Sequence, residues 1–164
     1  MGFGLIAASS GALSYIMCGV LRAKDSAPIE RRLSQIHEGL LGLLREHRPS
    51  ALAVEEPYLP RLGRDDAARG SSARAAIAVG QAQAVVLLAA AEHDVPVFRY
   101  SPAQVKRSVS EYGRGSKQQV QEMVRLILGL DTRPEPNDAA DALAIAICHA
   151  QQQGIEKLLA TGGA

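Results

Sequence analysis

Between Pro136 and His149 the sequence runs Pro-Asn-Asp-Ala-Ala-Asp-Ala-Leu-Ala-Ile-Ala-Ile-Cys-His, with no Gly and with no Pro after its first residue. Its Ala and Leu content predicts a helix, with Asn137 placed to cap the first turn. From Ala139 to Ile147 the only polar side chain is Asp141. A helix apolar nearly all round is a buried helix, so the rest of the chain has to be built around it. Asp141 therefore sits where a carboxylate is costly unless something positive meets it. Asp138 lies one turn earlier on the same face, about 4.5 Å along the axis. No Lys or Arg stands between Asn137 and Ala150, so the two carboxylates repel each other unless a cation sits between them. The expectation is a divalent metal site. The alternative is that Asp138 answers the helix dipole and Asp141 is satisfied by a neighbour.

What surrounds this helix is limited by size and composition. A chain of 164 residues is expected to form one domain. Its 47% hydrophobic content, mostly Ala, Leu, Val and Ile with no Trp, suits helices packed closely against a sheet. The 18 basic and 17 acidic residues nearly cancel, so only the local distribution of charge can point to a partner. Cys18 and Cys148 are isolated, without metal-type spacing, and read as reduced packing residues of a cytosolic protein. No apolar run suggests a membrane span, and Met1–Ala8 lacks the length and the basic start of a secretory signal.

Taken in order, Gly2–Ala8 and Ala12–Leu21 read as two antiparallel strands joined at Ser9-Ser10-Gly11. A helix follows, started by Asp25 or Ser26 with Pro28 in its first turn, and Leu33, Ile36, Leu40, Leu43 and Leu44 form its apolar stripe. Ala51–Glu55, bounded by Pro49 and Pro57, reads as a buried strand ending on a carboxylate. Residues 59–72, with Pro60, Gly63, Gly70 and several arginines, read as a mobile loop. A long helix over 73–93 carries Ala76, Gly80 and Ala84 at every fourth residue, a strip suited to helix packing within the chain or across a dimer. Val95–Tyr100 is the next strand, with Pro96 near its start. Ser101…Gln104 and Ser116…Gln119 are capping-box patterns that start two further helices, separated by Gly113-Arg114-Gly115. Gly129 and Pro134 close the second of these, and residues 154–164 read as a flexible tail after a domain over 1–153. The order is β-β-α-β-α-β-α-α-α, an α/β fold with a mixed sheet and helices on both faces.

Three acidic residues are candidates for one site: Glu55 at a strand end, and Asp138 and Asp141 at a helix start. Several hard oxygen ligands suit a pair of Mg²⁺ ions clamping the attacking and leaving oxygens of a phosphodiester. Glu56 should point to the other side of its strand and act as a surface charge. From Arg99 to Arg125 there are six basic residues (Arg99, Lys106, Arg107, Arg114, Lys117, Arg125) against two acidic ones. Lys117 opens a helix against the dipole, which argues for a phosphate contact rather than a stabilising role.

On Ala53-Val54-Glu55-Glu56, Val79-Gly80-Gln81-Ala82, Val95–Tyr100, Gln104-Val105-Lys106, Lys117–Val124 and Asp138–Ala146, in that order, the chain resembles the RuvC family of bacterial Holliday junction resolvases. The resemblance covers residues 2 to about 150 and implies an RNase H-like fold. It implies a cytoplasmic homodimer that cuts four-way junction DNA symmetrically in recombination and repair, with water as nucleophile. It also implies two Mg²⁺ ions, with Mn²⁺ able to substitute, and a branch-migration complex as partner. Carried over by position, Glu55, Asp138 and Asp141 match the catalytic metal ligands. Lys106 and Lys117, with Arg107 and Arg114 nearby, match basic residues that approach the DNA backbone. Tyr58 falls where the family places an aromatic beside the junction bases, although the loop around it differs.

One departure stands against these matches. Family members begin with a strand carrying Gly-Ile-Asp-Pro-Gly, whose Asp bridges the metals, whereas Met1–Ile6 corresponds to the family's second strand. The expectation is a start lying upstream of Met1, and a chain as given that is unstable and inactive. Two other functions are compatible with the residues: a junction-binding protein that does not cut, and an RNase H-like nuclease acting on structured RNA.

Overall fold

The computed structural model describes residues 1–9, 11–56, 69–109 and 116–161, the side chains of 69–75 and 157–161 aside. Its elements are β1 (Gly2–Ser9), β2 (Ala12–Val20), α1 (Ile29–His47), β3 (Leu52–Glu55), α2 (Arg69–Glu92), β4 (Val97–Tyr100), α3 (Pro102–Val109), α4 (Lys117–Leu128) and α5 (Asn137–Thr161). This is the order expected from the Gly and Pro punctuation. The elements fall into two compact units, Met1–Val20 with Pro102–Ala164, and Leu21–Ser101. Of the loop expected over 59–72, residues 59–68 lie outside the described residues, as do the Gly113-Arg114-Gly115 turn, Tyr58 and Arg114, whereas residues 69–72 already belong to α2, a correction to that expectation.

In the first unit β1 and β2 pair antiparallel, turning at Gly11 with φ 86°, a left-handed value that suits glycine. The ladder slips once: Leu5 faces Met17 but Ile6 faces Tyr15, which leaves Ile16 as an extra residue, 47% exposed. Alternate residues of a strand share a face, and Gly2 and Gly4 turn theirs to α5. A Cβ on Gly2 would fall 2.0 Å from the Asp138 carbonyl oxygen, and one on Gly4 would fall 2.8 Å from Leu143 Cγ. The missing side chains let the helix lie directly on the strand backbone.

Ala139, Ala140, Leu143, Ile147 and Cys148 are consequently sealed from solvent, together with Val105 and Val109 of α3 and Val120, Val124 and Leu128 of α4. Burial of Leu143 and Ile147 contributes about 1.5–3 kcal/mol each. The Ser116 capping box forms as expected, and Gly129 ends α4 in the left-handed region at φ 64°. At the other end of α5 the helix continues through Gly154 to Thr161, where the sequence suggests a frayed tail. Ile155, Glu156, Leu158 and Leu159 are adequate helix formers, and a single Gly costs only about 1 kcal/mol.

In the second unit β3 and β4 pair parallel, Leu52 opposite Val97 through Glu55 opposite Tyr100. The expectation of a buried β3 is corrected: Leu52, Ala53 and Val54 are half-buried and Glu55 is exposed. So is the expected start of α1. Pro28 itself is the capping residue, with no side-chain hydrogen bond to the first turn, and Asp25 instead stands 3.9 Å from Arg32. Helices α1 and α2 pack together, burying Leu40 and Leu44 on one and Val85, Val86, Ala89 and Ala90 on the other. His37 Nε2 lies 3.3 Å from Glu92 Oε2 between them. Part of α2 stays uncovered: Ile77 is 61% and Leu88 55% exposed. Among the described residues no helix is long and apolar enough to cross a membrane.

Candidate active site

Asp138 and Asp141 stand in the first turns of α5, held down on β1 by the close approach at Gly2 and Gly4. Their exposure differs from expectation. Asp138 is exposed, and the Asp141 side chain keeps 48% of its accessible surface, so neither carboxylate is buried. Partial burial still pushes the Asp141 carboxyl above its ordinary value, with Lys117 pulling it down and Asp138 pushing it up. The Asp141 Oδ2 atom lies 3.9 Å from Lys117 Nζ, the one ion pair it makes among the described residues. Lys117 is the first residue of α4 and 74% exposed, so this pair is a loose, solvated one worth little to stability.

Helices α4 and α5 pack against each other. Their polar contacts follow an antiparallel register, Lys117 with Asp141 and Gln121 with Asn137, which Glu122 extends to Arg133 in the segment leading into α5. Gln121 Nε2 donates to Asn137 Oδ1 at 2.5 Å. The expected helix cap is thereby corrected. Asn137 lies inside the helix, its side-chain oxygen is taken by α4, and the Pro136 carbonyl accepts from Ala139 and Ala140. Glu122 accepts from Arg125 and Arg133 at 2.7 Å, which lowers its carboxyl to about 2. Arg125 also donates to the Leu130 carbonyl at 3.0 Å. Of the six basic residues counted in the sequence, Arg125 is thus committed to the fold. Lys106, Arg107 and Lys117 are exposed, Arg107 donating through Nε to the Ala103 carbonyl at 3.3 Å.

Glu55 closes β3 in the other unit, and Gln83 of α2 donates to its carbonyl oxygen at 2.7 Å. Glu56 follows the strand, exposed, with its amide on the Tyr100 carbonyl at 2.8 Å. Among the described residues no three of His, Cys, Asp and Glu form a metal-holding group within one cluster. The donor set at the start of α5 nevertheless fits a hard divalent ion. It offers two carboxylates one turn apart on one face, open to solvent, with the loosely held Lys117 beside Asp141. Sequence reasoning does not single out Gln83, which donates to the Glu55 carbonyl, or Gln121, which donates to the Asn137 side chain. Gln121 could have been found from its place four residues after Lys117, on the same helix face.

The family described as crossover junction endodeoxyribonuclease RuvC matches residues 1–149. Among curated relatives, the crossover junction endodeoxyribonuclease RuvC of Dehalococcoides mccartyi is 41% identical over 162 residues, covering 99% of this chain and 91% of the relative. That of Rubrobacter xylanophilus is 45% identical over 150 residues, covering 92% and 78%. Among solved structures, Thermus thermophilus RuvC in complex with a Holliday junction substrate superposes with a TM-score of 0.82 at 36% identity. It covers 94% of this chain and 88% of its own. A second structure of Thermus thermophilus RuvC gives a TM-score of 0.74 at 35% identity, covering 93% and 89%.

Proposed function

The chain belongs to the RuvC family of crossover junction endodeoxyribonucleases, and from that premise we propose that it resolves Holliday junctions by metal-dependent hydrolysis of phosphodiester bonds. Its α/β fold is the RNase H-like one of its structural relatives. The observation that carries the reading is the grouping at one end of α5, where two carboxylates stand beside the phosphate-seeking Lys117.

Asp138 and Asp141 offer the carboxylate oxygens, and Glu55 at the end of β3 is the third ligand. Mg²⁺, in two ions, is the proposed metal, with Mn²⁺ as substitute. A divalent ion held there would supply Lewis acidity to stabilise charge on the phosphodiester oxygens and activate water. The chain's own part is positional. Lys106, Arg107 and Lys117 take backbone phosphates without reading bases, and Lys117 holds a phosphate within reach of Asp141. Water oxygen forms the new P–O bond, one ester P–O bond breaks, and the leaving alkoxide takes up a proton. Tyr58 and Arg114 are proposed as further DNA contacts.

A homodimer accounts for paired, symmetric cuts. Support for it comes from α2, where Ile77, Gly80, Ala84, Leu87 and Leu88 are exposed at spacings of three and four. The strip expected at Ala76, Gly80 and Ala84 is displaced by this much: Ala76 is half-buried, and Ile77 takes its place. A branch-migration complex is the proposed partner in the cell, and the cytoplasm the proposed compartment.

The testing experiment offers four-way junction DNA, linear duplex and structured RNA to the chain with Mg²⁺. Paired nicks across the junction that need the metal are expected. Junction binding without cutting would contradict the proposal, and preferential cutting of RNA would replace it.

A further inference from the structure

Gln121 belongs to none of the roles assigned so far, yet it makes the shortest polar contact between α4 and α5. Its Nε2 donates to Asn137 Oδ1 at 2.5 Å, and Asn137 is the residue next to Asp138. The contact falls between two others in the same antiparallel register. Lys117 meets Asp141 on one side at 3.9 Å, and Glu122 meets Arg133 on the other at 2.7 Å. The outer pair anchors the segment leading into α5, because Glu122 also holds Arg125, and Arg125 holds the Leu130 carbonyl. The inner pair is loose. The first turn of α5 therefore takes its rotational setting on α4 from the Gln121–Asn137 bond.

The backbone there is also pinned by β1, since the Asp138 carbonyl lies where a side chain on Gly2 would be. Two constraints, the strand backbone and the glutamine, fix a short stretch of helix more tightly than either alone. Asn137 is also spared from capping the helix, as the Pro136 carbonyl takes the first amides, so its amide group is free to be held this way.

We propose that Gln121 is a positioning residue, setting through Asn137 the first turn of α5 and hence the placement of Asp138 and Asp141 relative to Lys117. The proposal rests on the reading of Asp138 and Asp141 as metal ligands. Partners one step removed from a metal typically matter by about 10–100-fold in affinity or activity. Gln121→Met keeps the length and helix propensity of the side chain and removes only the donor.

The test titrates Mn²⁺ into the full chain without DNA, for the parent, Gln121→Met, Asn137→Ala, the double variant and Asp138→Asn, with junction affinity and melting temperature measured alongside. Expected is a loss of Mn²⁺ affinity of about tenfold in each of the first three variants. The double variant should be no worse than either single one, and junction affinity without metal should not change. Asn137→Ala probes the same bond from the other helix, should Gln121→Met fold poorly. Parent-like Mn²⁺ affinity in Gln121→Met, with affinity lost in Asp138→Asn, overturns the role of Gln121 and leaves the site standing. Losses that add in the double variant overturn the route through Asn137. Parent-like affinity in Asp138→Asn overturns the metal-site reading itself.

Discussion

Two long Ala-rich helices end in opposite situations. In α5, Ala139, Ala140, Leu143 and Ile147 are sealed from water, whereas α2 leaves Ile77 and Leu88 more than half exposed. Composition does not separate them; what lies opposite does. Helix α5 rests on Gly2 and Gly4, whose absent side chains admit it to contact with the strand backbone. A side chain on Gly80 of α2 would meet nothing within 4 Å. Glycine serves close approach in the first case, and in the second it leaves a surface flat enough for another helix to approach. The buried helix presents its two carboxylates at a solvated start. The uncovered helix is where the proposed homodimer would seat a second copy of the chain.

The largest effect should come from the solvated end of α5. Asp141→Asn is expected to lower junction cleavage by about a thousandfold or more, since metal charge stabilisation is worth several kcal/mol at tenfold per ~1.4 kcal/mol. Junction affinity, carried by phosphate contacts, should stay as it was. The same change should raise the melting temperature at neutral pH without metal. The Asp141 carboxyl is raised above its ordinary value in the fold, so its contribution to stability declines as pH rises through that range, and Asn removes the penalty. Equal cleavage in variant and parent would remove Asp141 from the site.

Next in size is the uncovered face of α2. Ile77→Asp with Leu88→Glu should abolish self-association in sedimentation while shifting monomer stability by no more than about 0.5 kcal/mol per exposed site. A steep loss of stability instead would place these side chains in the chain's own core. The glycines give the direct contrast. Gly4→Val should cost about 1–3 kcal/mol or more by overpacking against Leu143, whereas Gly80→Ala should stabilise the monomer by up to about 1 kcal/mol and weaken self-association. Denaturant midpoints measure both.

The smallest effect concerns the clamp behind α5. Glu122 is held at about 2, below its ordinary 4.5, by Arg125 and Arg133. Its stabilising share is full above pH 4.5 and is lost as pH falls toward 2. Glu122→Gln should therefore flatten acid unfolding in that window alone, and an unchanged acid limb would show the clamp to be idle.

Much of this was readable in the residues because Gly and Pro punctuate the chain at nearly every boundary, and because Ser116 with Gln119 states a helix start outright. Local pattern also placed Asp138 and Asp141 on one face. What escaped it depends on contacts between elements. Asn137 has a typical capping side chain, yet Gln121 takes its oxygen, a tertiary partner outcompeting a local one. The start of α1 offers Asp25 and Ser26, but the chain turns into the helix at Pro28. The slip in the hairpin at Leu5 and Ile6 has no signature in its alternation of small and apolar residues. Lys117 was singled out by its charge at a helix start, but its closeness to Asp141 needed the α4–α5 packing.

The central proposal is that Glu55 serves the same metal as Asp138 and Asp141. Its most direct measurement is a double-mutant cycle in Mn²⁺ binding and junction cleavage with Glu55→Gln, Asp138→Asn and the pair of changes together. The account predicts that each single change removes both metal binding and cleavage, and that the double variant is no worse than either. A Glu55→Gln chain that binds Mn²⁺ and cuts junctions as the parent does would contradict it.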